Sequence, residues 1–239
     1  MTLFNRFLIF PIWLIFLTHL QAQNTRNNAI ENALLIVEQN KSILENCKQL
    51  LVVYNEQPES YGAVLVVLEK KADNWVAKFD PVDIGIGKNG FALPLDKLEG
   101  DGKSPTGLFR LGKLFTYEKN VTTLLETQQT TKEDKWIDDP NSPDYNRHIR
   151  GTTEAKSYEN LLLESDAYKY CMVIEYNTNP IIKGKGSAIF FHLTTKAPYF
   201  TAGCVAVNED YMKQIVNWLD PKQNPSIIIG NLTVLKSGL

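Results

Sequence analysis

Between Leu50 and Gly87 the sequence leaves few folds open. Four short apolar runs rich in β-branched residues, LLVVY, GAVLVVLEK, NWVAKF and VDIGIG, follow one another closely, and turn-forming NEQPES and KKADN separate the first three. Val and Ile suit a pleated surface, while Pro, Gly, Asn and Asp punctuate it. The pattern therefore predicts consecutive strands joined by tight connections. Further strands are expected at GLFRLG, YCMVIEY, SAIFFHL and PSIIIG. Two helices flank them. NNAIENALLIVEQNKSILENCKQL carries Ile30, Leu34, Val37 and Leu44 near helical spacing with no Gly or Pro, which predicts an amphipathic helix packed outside the sheet. NEDYMKQIVNWL has Asn208 as a cap, Glu209 and Asp210 in its first turn, Pro221 just beyond its end, and a buried stripe of Met212, Ile215, Val216 and Leu219. The polar stretch from about 117 to 166, broken by Pro140 and Pro143, is expected to be an insertion with little sheet.

The first residues bear on where such a chain works. MTLFNRFLIFPIWLIFLTHLQAQ places Arg6 before an apolar run from Phe7 to Leu20 and a small residue, Ala22, after it. That is the layout of a secretory signal peptide over residues 1–22, followed by an N-terminal helical segment over 23–49 and a domain over 50–239. An uncleaved membrane anchor is the alternative, because the apolar stretch is near the lower length limit for a span. The expected location is periplasmic or cell-envelope, with no membrane span once the signal is removed. The formal net charge of −2 comes without a basic block, which argues against a nucleic-acid partner. Three cysteines, Cys47, Cys171 and Cys204, allow one disulfide and a free thiol, or three thiols.

Two glycine-rich motifs resemble phosphate-binding loops and fail the test. GIGKNG, Gly85 to Gly90, fits a dinucleotide fingerprint, but Pro94, Gly100 and Gly102 occupy the stretch where the required helix has to run. GDGKSPTG contains Gly102-Lys103-Ser104, yet Lys97 stands where a phosphate loop needs its first glycine. No zinc spacing occurs, so neither metal nor cofactor is expected.

Chemistry is better sought in FFHLTTKAPYFTAGCVAV. A thiol becomes a strong nucleophile when a neighbour takes its proton, and an imidazole is suited to take it and later return it. His192 ends an apolar strand, and Cys204 follows Gly203 in a tight turn. The N–H groups of Gly203 and Cys204 are candidates for holding a developing oxyanion. His148 is the alternative base. Packing alone also accounts for a buried cysteine.

From about Leu50 to Gly230 the sequence resembles the L,D-transpeptidase (YkuD-type) catalytic domain family. GIGKNG, EGDGKSPTGLFRLG, WIDDPNSPDYNR, GKGSAIFFHL and TAGCVAV fall in the order of a divergent branch. The resemblance implies a mainly β fold with flanking helices, a β-sandwich catalytic domain whose insertion caps the cleft. It implies an enzyme in which Cys204 attacks a carbonyl of a peptidoglycan stem peptide, with His192 as base and then acid. The acceptor is a second stem peptide, a wall-linked protein or water, the last giving an L,D-carboxypeptidase or amide hydrolase. A non-catalytic wall-binding protein is the remaining alternative. Typical members carry Ser-His-Gly-Cys and an arginine two residues on, where this chain has Thr201-Ala202-Gly203-Cys204 and Ala206, and their His-to-Cys spacing is longer. Arg147 is taken as the replacement cation, a backbone carbonyl at Ala202 as the group orienting His192, and Tyr145, Lys103, Ser104 and Thr201 as residues shaping the substrate cleft.

Overall fold

The computed structural model describes residues 12–195, 197 and 199–239, with side chains from residue 21 onward. Residues 1–11 of the expected signal segment therefore lie outside the described residues. Helix α1 (Ile12–Gln39) is followed by β1 (Gln49–Asn55), β2 (Gly62–Lys71), β3 (Asn74–Ala77), β4 (Val82–Gly85) and β5 (Gly107–Thr116). Next come β6 (Thr127–Gln129), β7 (Asp134–Ile137), β8 (His148–Arg150), β9 (Tyr158–Asn160), β10 (Tyr170–Ile174), β11 (Phe190–Leu193) and β12 (Val205–Val207). Helix α2 (Glu209–Trp218), β13 (Ser226–Asn231) and α3 (Leu232–Ser237) complete the order.

The class is mainly β with flanking helices, but the two-sheet sandwich is not what forms. One ten-stranded sheet runs β1-β13-β5-β10-β11-β12-β4-β2-β3, with β6 as the tenth strand paired to β5 off this path, and β1 also pairs with β2. The path thus returns to its start and closes as a barrel. β1 carries this closure, pairing parallel with β13 on one edge and antiparallel with β2 on the other. Closure pairs both edges of β1, and the helices packed on its outer face require it to be apolar on both sides. LLVVY supplies such a strand, with all of β1 buried.

Alternation along each strand sorts the side chains. Leu51, Val53, Leu65, Val67, Phe191, Leu193, Val205, Val207, Ile227 and Ile229 share the inner core with Met212, Ile215, Val216 and Leu219 of α2. The Asn208 side chain caps α2 by accepting from the Tyr211 N–H at 2.9 Å. Leu50, Val52, Tyr54, Val66, Leu68 and Ile228 face outward into a second cluster with Ala29, Ala33, Ile36 and Val37 of α1 and Leu235 of α3. The buried stripe of α1 is therefore shifted from the expected one, and Leu34 is exposed. The helix also stops at Gln39, ten residues before its expected end. Asn40 takes over there. Its amide donates to the carbonyls of Ile36 and Leu235, both at 2.8 Å.

The 117–166 segment forms a small sheet of its own, β8-β7-β9, in place of mostly irregular chain. Asp134 anchors it. Its buried carboxylate accepts from Arg150 Nε and Nη2, both at 2.9 Å, and from the Thr131 N–H at 2.7 Å, and bonds His148 Nε2 at 2.8 Å. Although burial opposes the charge, these donors hold the Asp134 carboxyl well below the usual carboxylate range. Trp136 and Leu161 then pack over outward-facing Phe115, Cys171, Val173 and Phe190. All three cysteines are free thiols, and Cys47 and Cys171 lie in separate clusters, so no disulfide joins them. Among the described residues no helix is long and apolar enough to cross a membrane.

Candidate active site

The glycine-rich motifs meet beneath the cysteine. Thr201 pairs with Gly87, its carbonyl accepting from the Lys88 N–H and its N–H donating to Ile86, both at 2.9 Å. Ser104 Oγ accepts from the Gly87 N–H at 3.0 Å and donates to the Cys204 carbonyl at 3.1 Å. Thr201 Oγ1 donates to the same carbonyl at 2.7 Å and accepts from the Gly203 N–H at 3.1 Å. A Cβ on Gly87 would sit 2.5 Å from the Gly102 carbonyl oxygen, so this crossing of two loops admits only glycine. Gly203 has a φ of +151°, and a Cβ there would lie 2.9 Å from the Lys103 carbonyl oxygen.

Cys204 and His192 come together on one face. β11 and β12 run parallel with His192 opposite Ala206, two residues beyond the cysteine. Period-two alternation therefore turns Cys204, Ala206 and His192 outward while Val205 and Phe191 point into the barrel. All three outward residues line one cleft of about 430 Å³. The thiol is held by backbone groups. Sγ accepts from the Phe190 N–H and donates to the Ala188 carbonyl, each at 3.3 Å. His192 Nδ1 lies 3.0 Å from the Leu193 carbonyl, which can only accept, so the neutral ring donates there from Nδ1, and the Ala167 backbone also acts on the ring. The orienting carbonyl is thus that of Leu193 rather than Ala202.

Phe115, Trp136, Tyr168 and Phe190 belong to the same apolar cluster as the thiol, and the Tyr168 ring stands edge-on to the imidazole with centroids 5.2 Å apart. Burial in these surroundings pushes Cys204 up to about 12 and His192 down to about 4. At neutral pH the resting groups are a thiol and a neutral imidazole.

The remaining sequence expectations divide. Thr201 lines the cleft, but its hydroxyl is committed to the turn. Gly203, expected to offer its N–H to an oxyanion, donates instead to Thr201 Oγ1. Ser104 is fully buried and braces the cysteine's carbonyl from below rather than facing substrate. Lys103 is half-buried with its backbone N–H on Asp101 Oδ1 at 2.8 Å, and it lies outside the cleft lining. Arg147 is exposed and likewise outside it, so the cation it was expected to supply is not placed at the thiol. His148 is bound to Asp134, which removes it as a base. Tyr145 is buried beneath the cleft, donating its hydroxyl to Glu99 and accepting from the Gly186 N–H at 3.1 Å.

Sequence reasoning missed the charged lining. Lys97, Glu99, Asp138 and Glu159 all border the cleft. Lys97 is tied to Asp101 at 2.7 Å. Burial, with Asp138 and Glu99 nearby, raises the Glu159 carboxyl. The balance of the cleft is acidic. The DD of WIDDPN was a readable signal for part of it, because a turn between two strands can bring one acid of a pair inward.

Residues 59–229 match the family model described as YkuD, L,D-transpeptidase catalytic domain. No protein with a curated description matches the chain. Two solved structures do. One is the crystal structure of the helical cell shape determining protein Pgp2 from Campylobacter jejuni, 15% identical, covering 77% of this chain and 48% of that one with a TM-score of 0.42. The other is a lysine-to-alanine mutant of the same protein, 15% identical, covering 82% of this chain and 58% of that one with a TM-score of 0.42. The chain thus spans about half the length of the structures it matches.

Proposed function

The chain belongs to the L,D-transpeptidase catalytic domain family, and from that membership we propose that it is an exported cysteine acyltransferase acting on peptidoglycan stem peptides. The observation that carries the reading is the shared cleft, where a thiol and a basic imidazole nitrogen occupy one face of β11 and β12 above a braced turn. Export would use residues 1–22 as a cleaved signal, leaving 50–239 as the catalytic domain in the cell envelope.

In this reading His192 Nε2 takes the Sγ proton as sulfur attacks the stem-peptide carbonyl. The carbonyl π electrons move to oxygen, beside the Cys204 N–H. Collapse of the tetrahedral intermediate expels the terminal D-amino acid, whose nitrogen receives the proton from the imidazolium. A thioester remains on Cys204. An amine from a second stem peptide then attacks it, losing its proton to His192, and the thiol is restored. Glu99, Asp138 and Glu159 make the cleft better suited to an amine-bearing chain than to a second carboxylate. Water in place of the amine gives the carboxypeptidase outcome.

The test is purified protein with disaccharide-tetrapeptide. The proposal expects a cross-linked dimer and free D-alanine, and neither product from Cys204→Ala. Release of D-alanine without dimer would assign hydrolysis. Sacculus binding with no product, unchanged in Cys204→Ala, would assign a wall-binding protein.

A further inference from the structure

Two residues in the chain reach the thiol's clamp from a distance. The segment 186–190 supplies both backbone partners of Cys204 Sγ, the Ala188 carbonyl and the Phe190 N–H. Ala188 has a φ of +52°, a left-handed conformation that an alanine adopts only when its surroundings enforce it. The enforcement comes from the small sheet. Tyr145 Oη accepts from the Gly186 N–H, and Asn146 Oδ1 accepts from the Ala188 N–H at 3.1 Å.

Asn146 is itself fixed on every side. Its Oδ1 also accepts from Trp136 Nε1 at 2.8 Å, and its Nδ2 donates to the carbonyls of Tyr176 at 3.1 Å and Asn177 at 2.7 Å. The side chain is buried, and its own φ of +55° lies where asparagine is tolerated better than most residues. An amide with both hydrogens and both lone pairs used has one orientation.

We propose that Asn146 is a positioning residue for the nucleophile: by holding the Ala188 peptide in its left-handed conformation, it aims the Ala188 carbonyl at Cys204 Sγ and fixes the direction of the S–H. The carbonyl favours the neutral thiol, which can donate to it, and the Phe190 N–H favours the thiolate, which can accept from it. Asn146 therefore decides how far the first partner weighs against the second, although it touches neither sulfur nor cleft. The inference rests on Cys204 being the nucleophile of the proposed reaction. It assigns a function to the centre of the YNR turn, whose outer residues Tyr145 and Arg147 stood out in the sequence as substrate contacts.

The experiment follows iodoacetamide alkylation of Cys204 against pH, read from the mass of the Cys204 peptide so that Cys47 and Cys171 are not counted. Wild type, Asn146→Ala and Trp136→Phe are compared. In Asn146→Ala the Ala188 peptide is released and the neutral thiol loses its acceptor, so the apparent pKa falls by up to about one unit, the size of one hydrogen bond. Trp136→Phe, which removes one donor to Asn146 and keeps the packing, shifts it less in the same direction. His192, Tyr168, Cys171, Glu159 and Lys97 also face the thiol and remain in both variants. Release of D-alanine from disaccharide-tetrapeptide falls at least tenfold in Asn146→Ala while alkylation near neutral pH rises. A merely structural loosening would also raise alkylation of Cys171, buried in the same cluster, whereas the proposal leaves the Cys171 peptide as slow to react as in wild type. Alkylation profiles in both variants that superimpose on the wild-type profile, or an upward shift in either, would overturn the proposal. If Asn146→Ala does not fold, the Trp136→Phe profile decides alone. A wild type that alkylates as described but releases no D-alanine would sink the enzymatic reading and leave the clamp standing.

Discussion

The barrel is covered on two outer faces, and the covers are built from different materials. Under α1 and α3 the contact is apolar: Leu50, Val52, Val66, Leu68 and Ile228 meet Ala29, Ala33, Ile36 and Leu235. Over β10 and β11 the cover is the 117–166 segment, whose inner surface is aromatic but whose placement is set by buried polar groups, Asp134, Tyr145 and Asn146. Hydrophobic contact is non-directional and seals. Hydrogen bonds from a fully satisfied amide or carboxylate are directional, and they fix where a backbone carbonyl points. The sealed face stabilises the fold. The hydrogen-bonded face leaves a cleft and aims a thiol into it.

The largest effect expected on this contrast comes from the sealed face. Ile36 is fully buried between α1 and the barrel, and Ile36→Ala should cost about 2–5 kcal/mol in urea unfolding. It should leave the pH profile of Cys204 alkylation unchanged, since α1 has no part in the clamp. A shifted profile would mean the two faces are coupled.

Acid should act on the other face. His192 is held down to about 4 from 6.5 by burial, so the unfolded chain takes up a proton in that range and the folded chain does not. Stability is therefore full above about pH 6.5 and falls as the pH drops toward 4, by about 3 kcal/mol in all. Melting curves across that window should show the loss, and His192→Gln should flatten it. A wild-type curve with no slope there would contradict the buried neutral imidazole.

A smaller effect should follow from Ser104→Ala. It leaves the Gly87 N–H unpaired and removes one of two hydroxyl donors from the Cys204 carbonyl, costing about 1–3 kcal/mol. D-alanine release should fall more steeply than stability if the brace positions the cysteine. Equal losses would make Ser104 a packing residue only.

The same contrast explains what could be read from sequence. Strand-forming runs such as LLVVY and PSIIIG, and the Asn208 cap of α2, announce themselves through local composition and periodicity, and the structure has them within a few residues. Closure of the sheet does not, because it depends on β1 pairing with β13 almost at the other end of the chain. β12 escaped notice because three residues after a glycine-cysteine turn carry no periodic signal. The stripe of α1 was misplaced because Ala29 and Ala33, too small to register as apolar anchors, are what fit against the barrel. At the candidate site, His192 and Cys204 stood out as rare residues at the ends of strand-like runs, and the structure places both in one cleft. Asn146 was not, since its importance lies in a left-handed backbone and a bond to Ala188 across 42 positions. Arg147 was chosen for its charge, and the turn that carries it points that charge to solvent.

The central claim is that the Cys204 sulfur becomes acylated by a stem peptide. Intact-mass measurement of the protein during reaction with disaccharide-tetrapeptide tests it directly. The account predicts a transient adduct equal to the substrate less its terminal D-alanine, located on the Cys204 peptide and absent from Cys204→Ala. Turnover that persists in Cys204→Ala, or an adduct on any other residue, would contradict it.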